Sequence, residues 1–231
     1  MMRGSARVEY SETVPFQYQQ GHVRFMGAKV MVDPRVLIPR PETELLVKAA
    51  VDILAGRPGR VDVLDMCTGS GAVAIALSRA VPAASVTACD VSRGALSVAR
   101  KNIQENGLGQ KIDIRVSDMF KSLKAVPGGA YDAIVSNPPY VSERDFDMLD
   151  PWVKAEPAIA LYGGRDGMDY LNILCEQAPL YLKKDGFLAV EIGYDQSVRV
   201  REKMSGSGLK DVRGLRDYNG YDRVIVGRKN A

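Results

Sequence analysis

The sequence predicts an α/β fold in which helices cover both faces of a doubly wound, mostly parallel sheet. After residue 60, short apolar strand patterns alternate with longer helical patterns, as is typical of parallel strands joined by crossover helices. A glycine-rich turn joins the first strand of this series to its helix, a connection that doubly wound sheets use at their ligand site. The pair Asn219-Gly220 predicts a closing antiparallel hairpin at the C-terminal edge.

An N-terminal arm precedes the main domain. Residues 1–20 are polar and weakly patterned. From His22 to Val32, apolar residues alternate on either side of Met26-Gly27, and this pattern predicts a β-hairpin. We therefore predict two parts, an arm over residues 1–36 and a main domain over residues 37–231.

The main domain begins with a helix and continues with the alternating series. Pro41 is placed where a helix can begin, because its fixed φ suits the first helical turn. The apolar face of this helix is predicted at Leu45, Leu46, Ala49 and Ile53. Strands are predicted at 61–65, 85–90, 111–116, 131–136 and 187–192, and helices at 71–80, 93–106, 167–184 and 195–205. Gly107 and Gly186 are expected at helix ends, where a left-handed residue is favoured.

Composition and charge exclude several classes of protein. The 231 residues are 46% hydrophobic and 26% charged, with a net charge of +3. This mild basic excess neither requires nor excludes a nucleic-acid partner, since a dedicated binder usually shows a clustered basic face. No apolar run approaches the ~18 residues that span a bilayer. The three cysteines form no CxxC pair. We therefore expect a cytoplasmic protein with reduced thiols, no metal site and no membrane partner.

A ligand pocket is predicted at the ends of the first three strands of the series. The stretch from Asp65 through Cys67, Thr68, Gly69 and Ser70 to Gly71 joins the first strand to its helix, and glycines there let a ligand approach the backbone. Asp90 ends the second strand, where a carboxylate can accept both hydroxyls of a ribose. Asp118 follows the third strand, where it can reach the amino group of an adenine, with Met119 and Phe120 packed on the base. The alternative is that Asp90 caps the next helix and Asp118 is a turn residue.

Two cofactors fit such a pocket, a dinucleotide and S-adenosylmethionine. The run 69–74 satisfies a loose GxGxxA dinucleotide pattern. Asp65, however, is placed to meet a cationic amino-acid group rather than a pyrophosphate. The closing hairpin also differs from the six-stranded parallel sheet of a dinucleotide fold. S-adenosylmethionine is therefore the predicted cofactor.

The fourth strand ends in Asn137-Pro138-Pro139-Tyr140. An amide nitrogen is a poor nucleophile because its lone pair is delocalised, the resonance that gives peptide bonds a rotation barrier of ~18–20 kcal/mol. The side-chain oxygen of Asn137 and the backbone carbonyl of Pro138, fixed by the rigid Pro-Pro turn, are placed to accept two N–H groups of such a nitrogen. Tyr140 is placed to stack on the planar group. The motif predicts N-methylation; a proline-rich turn with a surface tyrosine is the alternative.

The order of these motifs resembles the HemK/PrmC family of peptide chain release factor glutamine methyltransferases. The resemblance extends from about Val14 to Gly227 and is carried by Leu37–Glu44 (LIPRPETE), Asp65–Gly71, Ser136–Tyr140, Glu156-Pro157 with Ala160-Leu161, and Glu191-Ile192-Gly193. It implies a Rossmann-like class I methyltransferase. It also implies transfer of a methyl group from S-adenosylmethionine to the glutamine side-chain amide nitrogen in the Gly-Gly-Gln motif of release factors, a step connected with translation termination.

The resemblance also implies roles for individual residues. Cys67 to Gly71, Asp90, Met119 and Asn137 would contact the cofactor, and Asn137 through Tyr140, including Pro139, would hold the glutamine. Arg40 and Glu42 would face the reactive end of the donor. Cys67 departs from the family pattern, which usually has Gly there, and its side chain is expected to be accommodated with a negative φ.

Two further expectations concern the length of the chain and Glu191. The family usually carries a helical N-terminal domain, whereas about twenty residues precede the hairpin here, so the arm is interpreted as the linker to a domain that is missing or absent. Glu191 lies in an apolar strand, where an unpaired carboxylate is costly, and we therefore expect it to have a partner.

Three alternative functions remain open on the sequence alone. The first is methylation of an exocyclic amino group on a DNA or rRNA base, since such amines pose the same lone-pair problem. It is disfavoured because base-flipping enzymes need a basic, aromatic-lined groove. The others are a non-enzymatic nucleotide-binding module and a dehydrogenase.

Overall fold

The computed structural model describes residues 14–230, so residues 1–13 of the predicted arm lie outside the described part. The strands are β1 (His22–Phe25), β2 (Ala28–Met31), β3 (Val61–Met66), β4 (Ala84–Asp90), β5 (Ile112–Val116), β6 (Tyr131–Ser136), β7 (Leu182–Glu191), β8 (Leu209–Arg216) and β9 (Asp222–Lys229). The α-helices are α1 (Phe16–Gln20), α2 (Thr43–Leu54), α3 (Ala72–Ala80), α4 (Arg93–Glu105), α5 (Glu143–Met148), α6 (Pro151–Lys154), α7 (Asp169–Tyr181) and α8 (Ser197–Gly206). A 3₁₀ turn covers Ala158–Ala160.

Seven strands form one sheet in the order β5-β4-β3-β6-β7-β9-β8. The first five strands in this order pair in parallel, and β9 pairs antiparallel with both β7 and β8. The doubly wound, mostly parallel fold and its closing antiparallel hairpin are therefore confirmed. The chain moves outward from β3 to β5 and then returns to the other side of β3 with β6, which makes the gap beside β3 the topological switch point where such sheets bind ligands.

The core is divided between the two faces of the sheet. Val63 and Ala133 point to one face, where the buried side of α2 and the buried residues of α3 cover them. Leu64 and Ile134 point to the other face and pack with residues of α7 and α8. Adjacent residues of one strand are thus both buried, which explains the near-continuous apolar runs of the central strands.

The N-terminal hairpin is confirmed, and it packs on the domain. Strands β1 and β2 pair antiparallel, and Val30 joins the core cluster that contains α3. The buried side chain of Asn102 in α4 binds the backbone of Met31 in both directions, at 2.7 and 3.0 Å, and donates to the Ser70 carbonyl at 2.8 Å. One amide therefore connects the hairpin to the glycine-rich turn. The interpretation of the arm as a linker stays a prediction.

Helix α1 lies in a stretch that the sequence pattern did not mark as helical. It is five residues long, too short to produce a readable apolar period. The Tyr18 hydroxyl donates to the carbonyl oxygen of Val36 at 2.5 Å, so a tertiary contact holds this helix in place. Gly21 ends it in the left-handed conformation with φ 76°.

The predicted boundary between α7 and β7 was wrong. The helix ends at Tyr181 and the strand begins at Leu182. The Lys183 ammonium forms ion pairs of 2.8 Å with Asp62 of β3 and Asp132 of β6, long-range contacts that the local pattern does not reveal. The left-handed residue is Asp185 with φ 60°, and Gly186 has no positive φ.

Two smaller expectations have opposite outcomes. Gly107 ends its helix with φ 69°, as predicted. Helix α2 begins at Thr43, two residues after Pro41, and the proline precedes its first turn. The buried residues of α2 are Thr43, Leu46, Val47, Ala49, Ala50 and Leu54, so Leu45 and Ile53 are half-buried at the edge of the predicted face.

None of the helices within residues 14–230 combines the length and the apolar composition that crossing a bilayer requires.

Candidate active site

A cavity that opens to solvent lies at the carboxyl ends of the central parallel strands. Its walls come from the loops that follow β3, β4, β5 and β6, from residues 35–39, and from segments 159–160 and 170. The predicted site residues that line it are Asp65, Cys67, Thr68, Gly69, Ser70, Asp90, Asp118, Met119, Asn137 and Pro139. The structure therefore brings together the strand-end acids, the glycine-rich turn and the end of β6, as the sequence predicted.

The turn after β3 is strained at Cys67. The backbone of Cys67 has φ 60° and that of Gly69 has φ 53°, so the expected negative φ at Cys67 was wrong. The physical reason is the shape of the turn, in which the residue leaving the strand adopts the left-handed conformation at a cost of roughly 1–2 kcal/mol for a side-chain-bearing residue. Met119, across the cavity, is left-handed as well, with φ 48°, and its sulfur lies 3.9 Å from Cys67 Sγ. Such strain is concentrated at binding sites.

Asp65 holds the turn together from inside the protein. Its carboxylate accepts a hydrogen bond of 2.6 Å from the Thr68 hydroxyl and one of 3.1 Å from the amide of Ala74. Burial raises the pKa of Asp65 to about 7, although these two donors favour the charged form. Asp65 thus fixes the loop that faces the cavity, and contact with a cationic group of a ligand stays a prediction.

Asp90 binds the start of α4, as one of the two roles that the sequence left open requires, and its role toward a ribose stays a prediction. Its Oδ2 accepts from the Gly69 amide at 2.9 Å, and its Oδ1 accepts from the Ser92 amide at 2.9 Å. Burial raises the pKa of Asp90, opposed by these backbone donors. The carboxylate joins the glycine-rich turn to the start of α4 and also lines the cavity, where its remaining lone pairs could accept ligand hydroxyls.

Asp118 and Phe120 differ in accessibility. Asp118 is exposed at the rim of the cavity and forms an ion pair with Lys121 at 2.5 Å. Phe120 does not line the cavity, because its ring is buried in the core and stacks on Tyr181 with a centroid distance of 4.6 Å. The expectation that Phe120 packs on a bound base was therefore wrong. Met119 is the residue of this loop that lines the cavity.

Gly71 and the two charged residues before α2 also lie outside the cavity wall. Gly71 precedes α3 with φ 80°, and a Cβ there would lie 3.3 Å from Cβ of Ala99 in α4, so it serves helix packing. Arg40 forms an ion pair with the buried carboxylate of Glu156 and lies over the Trp152 ring at 5.9 Å. Glu42 is half-buried at the start of α2. Gly71 and Arg40 are thus engaged in contacts within the protein, and the predicted roles of Gly71, Arg40 and Glu42 toward a ligand stay predictions.

The Asn-Pro-Pro-Tyr stretch presents Asn137 and Pro139 to the cavity and keeps Pro138 and Tyr140 behind it. Asn137 Nδ2 donates to Thr43 Oγ1 at 3.1 Å. Thr43 therefore binds the nitrogen of the Asn137 side chain and does not bind its oxygen, Oδ1. The Tyr140 hydroxyl donates to Oε1 of Glu191 at 3.1 Å, so the partner expected for Glu191 is a tyrosine. Stacking of Tyr140 on a substrate stays a prediction.

The backbone of this stretch is clamped on its far side. Gln196, which is buried, donates to the carbonyl of Tyr140 at 2.9 Å and to that of Gly167 at 3.1 Å. A Cβ on Gly163 would lie 2.7 Å from the carbonyl oxygen of Pro139, and one on Gly167 would lie 2.4 Å from that of Tyr140. The glycines let a neighbouring loop press directly against the motif and restrict its movement.

Sequence reasoning did not assign Thr43, Gln196 or Glu156 to the site. Glu156 is buried and accepts from the backbone amide of Ile38 at 2.9 Å, so it fastens residues 38–40 to the loop over the cavity. Each of these residues reaches its partner across a long stretch of sequence. The available signal was a polar residue next to a recognisable motif, namely the threonine that closes the stretch 37–43.

The lining residues fit S-adenosylmethionine. A Cβ built on Gly69 meets no atom within 4 Å, so the turn exposes bare backbone to the space where a ligand would lie. Carboxylates at the ends of β4 and β5 offer acceptors for ribose hydroxyls and an adenine amine, and Met119 and Val91 offer apolar surface for the base. Asp90, Asp118 and the turn over residues 67–70 would hold the cofactor.

Comparisons with known proteins identify the family. Residues 42–154 match the Methyltransferase small domain family. The chain is 43% identical over 216 residues to the release factor glutamine methyltransferase of Koribacter versatilis, covering 93% of this chain and 75% of that protein. It is 41% identical over 187 residues to the ribosomal protein uL3 glutamine methyltransferase of Bordetella pertussis, covering 80% of this chain and 62% of that protein.

A solved structure agrees with these relatives. The release factor-specific protein-(glutamine-N5) methyltransferase of Alicyclobacillus acidocaldarius superposes with a TM-score of 0.52 at 28% identity, covering 87% of this chain and 99% of that chain. The identity to the Koribacter protein extends over most of both chains. This chain belongs to the release factor glutamine methyltransferase family.

Proposed function

We propose that this protein transfers a methyl group from S-adenosylmethionine to the side-chain amide nitrogen of the glutamine in the Gly-Gly-Gln motif of a peptide chain release factor. The observation that carries the proposal is the orientation of Asn137. Its Nδ2 is engaged by Thr43, which leaves Oδ1 as the acceptor available at the cavity. An acceptor at this position is what a carboxamide N–H requires.

The residues of the Asn-Pro-Pro-Tyr stretch act on the nitrogen of the substrate. Asn137 Oδ1 accepts one of its N–H groups and favours a tetrahedral nitrogen, whose lone pair is no longer delocalised into the carbonyl. The role of the Pro138 carbonyl as the second acceptor stays a prediction, because Pro138 does not line the cavity. When bound, the cofactor would supply an electrophilic methyl group, and the bond from this carbon to the sulfonium sulfur would break as the bond to nitrogen forms, leaving the neutral thioether S-adenosylhomocysteine. As the new N–C bond forms, the nitrogen releases one proton to water.

Catalysis here depends on positioning and directed dipoles. Holding the reacting groups in a fixed geometry contributes up to ~7–11 kcal/mol of a barrier, and the clamp by Gln196 and the two glycines restricts the motif before substrate arrives. Acceptors that are already aimed need no reorganisation in the transition state. No nucleophilic side chain has to form a covalent bond in this scheme.

The glutamine could also belong to another protein, and the Bordetella relative named for ribosomal protein uL3 makes that protein a second candidate substrate. The chemistry at the amide nitrogen is the same in both cases. Methylation of an exocyclic base amine remains the alternative of a different class, disfavoured because the sequence has no obvious cluster of lysine and arginine residues. We place the protein in the cytoplasm, where translation termination occurs.

The test is methyl transfer to four purified substrates: release factor, uL3, DNA and rRNA. Mass spectrometry should find one added methyl group on the Gly-Gly-Gln peptide of the release factor. Asn137→Ala should lower kcat by about 100-fold or more, the loss typical of removing one transition-state hydrogen bond. Asn219→Ala, at an exposed turn, is the matched control and should retain activity. Methylation of nucleic acid alone would refute the proposal.

A further inference from the structure

Glu191 is a buried carboxylate whose partners do not balance its charge. It is 1% exposed at the end of β7, and Tyr140 donates to its Oε1. Its Oε2 has no hydrogen-bond partner among residues 14–230. Burying an ionisable group with an unsatisfied oxygen is costly, and a glutamine or an apolar residue would fill the same space at lower cost.

Thr43 connects this carboxylate to the Asn137 side chain. Thr43 Oγ1 accepts from Asn137 Nδ2 at 3.1 Å. A hydroxyl that accepts one hydrogen bond still has one proton to donate, and the Thr43 hydroxyl is close enough to Glu191 to lower the pKa of its carboxyl. Oε2 of Glu191 has no other partner among residues 14–230, so donation of this proton to the carboxylate would make one directed series, from the Asn137 amide through the Thr43 hydroxyl to Glu191.

We propose that Glu191 is a positioning residue that, as a carboxylate, sets the direction of this series and so makes Asn137 present its oxygen, not its nitrogen, to the substrate amide. A carboxylate can only accept, so Thr43 must donate to it and accept from Asn137. The inference rests on the proposed function, because the substrate amide is what makes the orientation of Asn137 matter.

The protonated form has the opposite effect. A neutral carboxyl, or a glutamine, can donate a hydrogen bond to Thr43. Thr43 can then direct its proton at Asn137, whose side-chain amide rotates to accept it and turns its NH₂ group toward the cavity. A donor there would repel the N–H groups of a carboxamide. Activity should therefore require the deprotonated form of Glu191.

The groups around Glu191 make its ionisation measurable near neutral pH. Burial raises the pKa of Glu191 to about 7; Glu42 raises it further, while Thr43, Tyr140 and Arg223 of β9 lower it. Burial and the Glu191 charge raise the pKa of Tyr140 well above its usual value, so the tyrosine does not titrate in the same range.

Asp65 has a pKa of about 7 as well, but its hydrogen-bond partners are Thr68 and Ala74, outside this series. Substituting Glu191 therefore removes its own ionisation and leaves that of Asp65.

The first measurement does not depend on activity. In protein saturated with S-adenosylhomocysteine, the ¹⁵N side-chain amide signals of Asn137, assigned by their loss in Asn137→Ala, are followed by NMR as pH is varied. We expect them to shift with a midpoint near 7 in the wild type, and to lose this shift in Glu191→Gln and Thr43→Val. Signals of Asn137 that do not titrate in the wild type would overturn the inference.

The second measurement is the kinetics on the release-factor substrate. Glu191→Gln and Thr43→Val should each lower kcat by ~100-fold, and their affinity for S-adenosylhomocysteine should equal that of the wild type. Thr43→Ser keeps the hydroxyl, so its kcat should stay close to that of the wild type. Glu105→Gln and Thr87→Val, away from the cavity lining, are the matched controls.

The outcomes separate this inference from the proposed function. Equal activity of Thr43→Val and Thr43→Ser would overturn the inference that Glu191 orients Asn137 through Thr43. A wild type that methylates no glutamine would refute the proposed function, yet the NMR titration would still test the hydrogen-bond series. If Glu191→Gln does not fold, the NMR titration of the wild type and the comparison of Thr43→Val with Thr43→Ser still test the inference.

Discussion

Replacing Glu191 by Gln should raise the free energy of unfolding, and this increase should grow as pH rises. Burial raises the pKa of this carboxyl from 4.5 to about 7. Because one pKa unit corresponds to ~1.4 kcal/mol, keeping Glu191 charged costs the folded state ~3 kcal/mol above this range. Between the two pKa values the folded state binds more protons than the unfolded state, so the free energy of unfolding of the wild type falls as pH rises through this range.

Urea unfolding at several pH values from about 4.5 to 8 measures the effect through linkage. The difference in unfolding free energy between Glu191→Gln and the wild type should be smallest at the acidic end and grow to ~3 kcal/mol above pH 7. Asp65, with its own raised pKa, is present in both proteins and cancels. Glu105→Gln, at an exposed position of α4, should show no such trend. A difference that stays constant with pH would refute the reasoning.

Two further predictions concern positions where the backbone and one buried amide hold the site. Gly167→Ala places a Cβ 2.4 Å from the Tyr140 carbonyl oxygen at φ 73°, and should lower the unfolding free energy by ~2 kcal/mol or more; Gly206→Ala, with open space around it, should not, and equal effects in urea unfolding would contradict the packing argument. Asn102→Ala removes three buried hydrogen bonds, one to Ser70 of the cavity wall. It should cost ~2–3 kcal/mol and weaken S-adenosylhomocysteine binding in calorimetry; unchanged affinity would show that the turn holds its shape without it.

The sequence was sufficient for the parts of the fold that depend on local pattern. Apolar runs and the helices between them predicted the parallel strands, and the Asn219-Gly220 turn predicted the antiparallel edge. Because parallel strands end at the same edge of a sheet, the order of strands and helices was enough to place the strand-end acids together. This is why Asp65, Asp90 and Asn137 meet at one cavity.

The parts that failed depend on contacts between distant residues. Thr43 and Asn137 are 94 positions apart, and no local period reveals that their side chains bind each other. Phe120 looks like a base-stacking residue by position, but Tyr181, distant in sequence, draws its ring into the core. The positive φ of Cys67 follows from the shape of the whole turn, which one residue type does not determine.

The site uses two different means to fix the Asn-Pro-Pro-Tyr stretch, and they fail in different ways. Close packing of Gly163 and Gly167 and donation from the Gln196 side chain to the Tyr140 carbonyl fix where the stretch lies, and their loss would displace the whole motif. The buried carboxylate instead fixes which atom of Asn137 faces the substrate, a choice that packing cannot make because the oxygen and nitrogen of an amide are nearly the same size. A charge whose burial destabilises the fold is therefore retained at Glu191, since only an obligate acceptor imposes that direction.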